Sequence, residues 1–115
     1  MTELEKYIQT YFSVTRDDLE KISSFFKLVL LKKGEYYLRT GRQSDRLGFV
    51  QSGIIREYVI ISGKEVTKWI STKGYFVVDL SGFMFHLPAS WNIQALTDCE
   101  IYVIDRKDTR AVCDT

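Results

Sequence analysis

The chain has 115 residues, enough for one domain that buries about two-thirds of its surface on folding and too few for two. Hydrophobic residues make up 45% and aromatic residues 14%, with one proline, which excludes a disordered, collagen-like or low-complexity chain. The net charge of +1 creates no overall field that favours nucleic acid, an anionic membrane or an acidic substrate. Any ligand is therefore recognised locally.

Cysteine content and the apolar runs indicate the compartment. Two cysteines, Cys99 and Cys113, are too few for the disulfide framework of a small secreted domain. The first ten residues carry charges where a signal peptide needs an apolar core. The longest apolar runs, such as Leu28–Leu31, are far shorter than the roughly 20 residues that span a bilayer. We expect a cytoplasmic protein without membrane segments.

Two amphipathic helices are predicted within residues 1–27. Spacings of three and four residues give the first helix a buried stripe of Leu4, Ile8 and Tyr11. The second begins at Ser13 or Thr15, because Thr15 and Asp18 resemble a capping box with Asp in place of Glu. Its buried stripe is Leu19, Ile22 and Phe26.

Residues 28–104 contain short β-branched and aromatic runs that end in glycine-bearing turns at Gly34, Gly41, Gly53, Gly63 and Gly74. This spacing predicts an antiparallel all-β unit of about eight strands. The clearest hairpin joins 54–61 to 66–70 through the turn 62–65. The residues expected in the core include Leu31, Leu38, Phe49, Val50, Ile93, Ile101 and Val103.

Residues 105–115 form the last predicted element. Asp105 is a candidate N-cap and Asp108 occupies the third helical position. A helix of about two turns has little stability alone. We therefore interpret it as the stub of a longer, truncated helix.

An ordered set of motifs runs through residues 28 to 110: Gly34-Glu35, Gly41 with Ser44-Asp45, Ser52-Gly53, Gly63-Lys64-Glu65, and Ala95 with Asp98-Cys99-Glu100 before Ile104 and Arg106. This set resembles the cyclic-nucleotide-binding-like sensor domain of the Crp-Fnr family of bacterial transcription regulators. The resemblance implies a single domain with a mainly β fold, an antiparallel β-roll (jelly-roll-like) with flanking helices. It also implies a small-molecule effector, a homodimer, and DNA binding through a helix-turn-helix domain that these 115 residues do not contain.

The resemblance also implies where a cyclic nucleotide would bind. Counting back from Ala95 places Ser90 at a small hydroxyl position, Ala89 at the position of the phosphate-binding arginine, and Asp79 at that of the ribose-binding acid. Gly74 and Phe76 complete the implied ligand-binding set. Residues 74–105 contain no Lys or Arg, so no shift of this alignment restores the cation. A cyclic nucleotide is therefore disfavoured, and no other cofactor is implied.

Several other features each have a simpler interpretation. The apolar segment Gly82–Pro88 is interpreted as a loop packed on the core, with an apolar-ligand or partner surface as the alternative. His86 is either an ordinary loop residue or a pH-sensitive group.

Cys99 and Cys113 are interpreted as ordinary side chains, although a redox pair is conceivable. Lys32, Lys33 and the cluster Arg39, Arg42 and Arg46 are interpreted as a solvated charged face, with attraction of an anionic partner as the alternative.

Catalytic and metal sites lack the necessary parts. One histidine cannot supply a site built from several imidazoles, and two cysteines cannot ligate an iron–sulfur cluster or a structural zinc. No phosphate-binding loop of the glycine-Lys-Ser/Thr type is present. Two hypotheses remain: a non-enzymatic sensor domain, or a structural and dimerisation module that has lost its ligand.

Overall fold

A computed structural model describes residues 2–11, 14–43 and 45–113. The alternative helix start at Ser13 and the motif residue Ser44 lie outside these ranges, and the side chain of Cys113 is outside the described part as well. Within the described ranges, no helix has both the length and the apolar character needed to cross a membrane.

Both predicted N-terminal helices are present. Helix α1 spans Glu3–Tyr11 and helix α2 spans Arg16–Ser24. Thr15 is the N-cap of α2, and its hydroxyl accepts a hydrogen bond from the backbone N–H of Asp18 at 3.1 Å. This contact satisfies one of the backbone donors that a helix start leaves unpaired.

The two helices pack on one face of the β-roll. Their residues Leu4, Ile8 and Leu19 form a cluster with Phe49 of the adjoining sheet, and Ile22 and Phe26 lie against it. Tyr11 does not join this cluster, so its predicted burial is wrong. It lies at the last position of α1, is 68% exposed, and packs its ring 4.7 Å from that of Tyr7 one helical turn earlier.

In the described ranges, eight strands form two four-stranded antiparallel sheets, which confirms the predicted β-roll. One sheet has the order β1-β8-β3-β6 and the other has the order β2-β7-β4-β5. The strands are β1 (Lys27–Leu31), β2 (Tyr36–Leu38), β3 (Arg46–Ser52), β4 (Ile55–Ile61), β5 (Lys64–Ser71), β6 (Phe76–Val77), β7 (Asn92–Ala95) and β8 (Cys99–Asp105).

The β4–β5 hairpin is tighter than predicted. Its strands are joined by Ser62 and Gly63 alone, and Ile61 pairs directly with Lys64. Both turn residues have positive φ, 52° for Ser62 and 78° for Gly63. Two-residue turns of this kind match the twist of paired strands, which explains why Lys64 and Glu65 belong to the strand and not to the turn.

The main core lies between the two sheets. Six of the seven expected core residues are buried: Leu38, Phe49, Val50, Ile93, Ile101 and Val103. Phe49 is the one that packs on the helix side of its sheet. Leu31 is only half-buried, because β1 is an edge strand and packs against the core from its rim.

Two further helices are present in the described part of the chain. Helix α3 spans Leu80–Phe85, where the sequence analysis expected a loop, and helix α4 spans Arg106–Cys113. Strand β8 continues to Asp105, so α4 begins directly from a sheet strand. The backbone N–H of Arg106 is bonded to the carbonyl of Asp45 at 2.8 Å, which ties the start of α4 to the β2–β3 connection.

Candidate functional site

The segment between β6 and β7 carries the two central residues of the predicted site. Asp79 precedes α3, and its carbonyl accepts the helical hydrogen bond from Phe83 at 2.9 Å. Ala89 follows α3 and packs in the core between the sheets. Both residues are 3% exposed. Asp79 and Ala89 therefore flank a short helix on either side, and both are buried in the β-roll.

Ala89 is held in place by the β2–β3 connection. Its N–H donates to the carbonyl of Arg42 at 2.8 Å, and its carbonyl accepts from the N–H of Gly41 at 2.9 Å. Sequence analysis placed Arg42 on a separate charged turn. The fold brings its backbone next to the position where the resemblance implied an arginine, 47 residues later in the chain.

The other three predicted residues have different surroundings from the buried Asp79 and Ala89. Gly74 occupies a turn with φ of 91°, and its N–H bonds to the carbonyl of Val50 at 2.9 Å. Phe76 packs with Phe49 and Tyr7, at centroid distances of 5.2 and 5.1 Å, in the cluster under the N-terminal helices. Ser90 is exposed just before β7. The ring of Phe76 therefore has a packing function on the helix side of its sheet.

Glu57 is a site residue that the sequence analysis missed. It lies on β4 two positions after the fully buried Ile55, so both side chains face the interior. Burial raises the pKa of Glu57, and the negative charge of Asp79 raises it further. The alternation of β4 could have revealed this residue, because a carboxylate on the inward face of a strand is unusual.

The interior near these carboxylates contains a second polar group. Ser71 ends β5 opposite Ile55 and is fully buried. Its hydroxyl has no hydrogen-bond partner among the described residues. Two carboxylates and a hydroxyl thus lie in the part of the β-roll where the resemblance implies a phosphate, and the negative charge of Asp79 disfavours an anion there.

The apolar segment Gly82–Pro88 does not form the core-packed loop that was expected. Part of it is helical, and three side chains are more than half exposed: Met84 at 55%, Phe85 at 67% and Leu87 at 53%. Phe83 alone among its described large side chains is half-buried. A helix of six residues turns only part of its surface toward the β-roll, which leaves the remaining apolar groups in solvent.

His86 connects this segment to two others. It is exposed, has a positive φ of 56°, and its ring nitrogen Nε2 accepts a hydrogen bond from the guanidinium of Arg106. Its carbonyl accepts a hydrogen bond from the side chain of Gln43. His86 is therefore a loop residue with partners on α4 and on the β2–β3 connection.

No metal site is visible in the described part of the chain, where no three His, Cys, Asp or Glu side chains lie together in a ligating group. Cys99 is buried in the core at 2% exposure, and its thiol contacts the carbonyls of Thr97 at 3.1 Å and Ile54 at 3.4 Å. This placement agrees with a packing function for Cys99.

Comparison of the sequence with protein families gives one match. The sequence profile described as cyclic nucleotide-binding domain matches residues 28–115, which includes the β-roll and α4. Comparison with the curated proteins gives no match.

Solved structures with the same fold come from several kinds of regulator. The regulatory domain of Toxoplasma gondii PKA with cAMP superposes with a TM-score of 0.81 at 18% identity, over 96% of this chain and 43% of that one. The Thermus thermophilus catabolite activator protein superposes with a TM-score of 0.78 at 21% identity, over 89% of this chain and 48% of that one. The sensor domain of the transcriptional regulator DNR from Pseudomonas aeruginosa superposes with a TM-score of 0.77 at 18% identity, over 98% of this chain and 81% of that one. The chain thus spans less than half the length of the first two, and the likeness shows the fold.

Proposed function

The chain belongs to the cyclic nucleotide-binding domain family, and on that premise we propose that it is a non-enzymatic, effector-sensing domain of the Crp-Fnr type with a degenerate cyclic-nucleotide site. In this proposal the domain acts in the cytoplasm, and effector binding biases the arrangement of the helices around the β-roll. DNA contact would require a helix-turn-helix domain, which the resemblance places after the sensor domain.

The observation that carries this proposal is the environment of Ala89. A buried phosphate needs charge-assisted donors, each contributing about 1.5 to 3 kcal/mol. Position 89 offers only a methyl group packed in the core. Its backbone N–H is already bonded to Arg42 and is not free for a phosphate oxygen. The residue that would compensate the desolvation of a cyclic phosphate is therefore missing.

The remaining polar groups suit a different part of a ligand. Asp79 is buried and would accept hydrogen bonds from hydroxyl groups, such as those of a ribose, while it repels a phosphate. Glu57 adds to this preference, because burial and Asp79 favour its protonated form. In the degenerate site, the exposed hydroxyl of Ser90 would contact a ligand from the surface. Gly74 and Phe76 would set the backbone path that leads into the segment between β6 and β7.

Calorimetric titration with cyclic AMP tests the proposal. We expect weak or undetectable binding by the unmodified protein. Ala89→Arg supplies a guanidinium and should increase affinity at least about tenfold if the interior can accommodate it. Leu87→Arg adds the same charge at an exposed position of the same segment and should leave affinity unchanged.

Two results would overturn the proposed degenerate site. Tight cyclic AMP binding by the unmodified protein would show that another group replaces the arginine. An equal gain in Ala89→Arg and Leu87→Arg would show that added charge alone, and not position 89, determines affinity. Circular dichroism and the melting temperature of each variant check that the fold is retained.

The second candidate is a structural and dimerisation module without a ligand. It is favoured by the core packing of Ala89, which leaves a methyl group where a ligand contact is expected. A melting temperature that rises with one member of a metabolite panel supports the sensor, and no rise across the panel supports the module. In both candidates we propose that the chain forms a homodimer.

A further inference from the structure

A surface cleft of about 590 Å³ lies beside the start of α4 and is formed largely by β2 and the β2–β3 connection. Three arginines line it, Arg39, Arg42 and Arg46, together with the rings of Tyr36 and Tyr37. We call it the arginine cleft. None of the five residues predicted for the cyclic-nucleotide site lines it. Its volume lies in the range of small-molecule sites, roughly 300 to 1,000 Å³.

Two of the guanidinium groups are held by aromatic rings. Cζ of Arg39 lies 4.0 Å from the centroid of Tyr36, and Cζ of Arg46 lies 4.8 Å from that of Tyr37. Arg46 also donates from Nη2 to the carbonyl of Tyr37 at 3.2 Å. A guanidinium held against a ring is restricted in its motion, and the N–H groups along its edge remain available to an acceptor.

Within the described part of the chain, none of the three arginines forms an ion pair. Arg46 lies directly opposite Asp105 in the β3–β8 register, where opposite charges commonly pair. Among the described residues, however, the ion pairs within 4.0 Å are those of Glu3 with Lys6 and Lys73, and of Arg56 with Glu65. Arg42 is exposed, and its side chain forms no hydrogen bond, ion pair or ring contact within the described part of the chain.

The cleft also contains hydrogen-bond acceptors. Asp45 and Asp105 line it beside the three arginines, which leaves a local excess of positive charge. Tyr37 is 5% exposed, and its hydroxyl lies in the core beside Gly48, so it does not contribute a group to the cleft. A ligand that fits this set carries an anionic oxygen group for the guanidinium donors and hydroxyl or amino groups for the carboxylates.

From this arrangement we propose that the arginine cleft is a second ligand site, which binds the phosphate or carboxylate group of a small metabolite that also carries hydrogen-bond donors. The site differs in position and in chemistry from the interior near Asp79 and Ala89. Carboxylates dominate that interior, whereas guanidinium groups outnumber carboxylates in the cleft.

The test uses pyrophosphate and citrate as probes, in calorimetric titrations at low and physiological salt. We expect saturable one-to-one binding of at least one probe by the unmodified protein. Binding of pyrophosphate alone identifies a phosphate site, binding of citrate alone a carboxylate site, and binding of both a site that selects for charge. Binding of neither probe overturns the proposal.

Three arginine variants locate the binding. Arg42→Gln should lower the affinity for the probe about tenfold or more. It should leave the melting temperature of the free protein unchanged, because the exposed side chain forms no described hydrogen bond, ion pair or ring contact. Arg39→Gln should weaken binding similarly. Arg16→Gln, on the exposed surface of α2, removes the same charge elsewhere and should have no effect. Equal weakening by all three variants would show a general charge effect and overturn the assigned position.

The two sites can be separated experimentally. Ala89→Arg should leave probe affinity unchanged at low probe concentration, and Arg42→Gln should leave the cyclic AMP affinity of Ala89→Arg unchanged. Loss of probe binding in Ala89→Arg, with the fold retained, would show that the probe occupies the interior and not the cleft.

Discussion

Two carboxylates lie close together in the β-roll, the half-buried Glu57 and the buried Asp79. Glu57 and Asp79 come from separate parts of the chain, and the negative charge of Asp79 raises the pKa of Glu57. Burial of Glu57 is the larger contribution to its raised pKa. The interior therefore holds a proton at a pH at which an exposed glutamate is ionised.

The pH dependence of stability follows from this raised pKa. The folded protein binds the Glu57 proton more tightly than the unfolded chain, so the free energy of unfolding falls as pH rises from 4.5 through the raised value. Glu57→Gln should remove this fall and be the more stable protein near neutral pH. Urea denaturation at several pH values measures the difference, with Glu20→Gln on the exposed side of α2 as the matched control. A wild-type advantage that grows with pH would contradict the prediction.

Position 53 requires glycine for two reasons, its backbone conformation and the close approach of β8. Its φ is 96°, and a Cβ there would lie 2.5 Å from the carbonyl oxygen of Asp98 and 2.5 Å from the sulfur of Cys99. Gly53→Ala should lower the free energy of unfolding by roughly 3 kcal/mol, through backbone strain and the clash.

Gly63→Ala separates these two causes. Gly63 also has a positive φ, 78°, but a Cβ there would meet nothing within 4 Å. Strain alone should cost about 1 kcal/mol. Equal losses for the two variants in urea denaturation would show that the contact with β8 does not matter.

At the scale of elements, the stability of α2 depends on its N-cap residue, Thr15. Thr15→Ala removes the acceptor for the N–H of Asp18 and should destabilise the protein by about 1 kcal/mol. Ser24→Ala is the control, since Ser24 lies in the last turn of α2 and donates only to the carbonyl of Lys21. Its effect should stay within about 0.5 kcal/mol. A larger loss for Ser24 than for Thr15 in thermal denaturation would contradict the capping assignment.

The elements differ in how far their own sequences specify them. The cap of α2 and the turn of the β4–β5 hairpin are local patterns, and the structure agrees with both apart from the hairpin boundaries. Of the stripe predicted for α2, Leu19 is buried and Ile22 is half-buried, whereas Phe26 lies beyond the end of the helix at Ser24. Helix α3 has no charged face and only six residues, so it lacks the periodicity by which helices are recognised. Such a short helix is not stable alone and depends on the residues at its two ends.

For the whole molecule, the exposed apolar surface of the β4–β5 hairpin favours self-association. Ile60, Ile61 and Trp69 are 61%, 51% and 55% exposed, and Ile70 is 43% exposed. We expect the sedimentation coefficient to rise with concentration up to tens of micromolar. Trp69→Lys should reduce this rise, whereas Leu30→Lys on the exposed edge strand β1 should not. A strictly monomeric profile over this range would contradict the prediction.

The β-roll itself could be predicted from the sequence. Glycines at regular spacing end the strands because a positive φ is local and costs most other residues free energy, and alternation along a strand selects the residues of the core. These rules predicted the two N-terminal helices, the number of strands and most of the buried residues. The absence of a cation from residues 74–105 is likewise a property of the sequence alone.

Tertiary structure alone decided which distant residues meet. Glu57 lies near Asp79, and Arg42 lies beside Ala89, only because sheet order and register bring separate parts of the chain together. Local patterns specify which face of a strand a residue occupies but not which strand lies next to it, since pairing depends on the packing of the whole β-roll. For the same reason, three arginines that appear as a solvated charged turn in the sequence become the lining of a cleft in the fold.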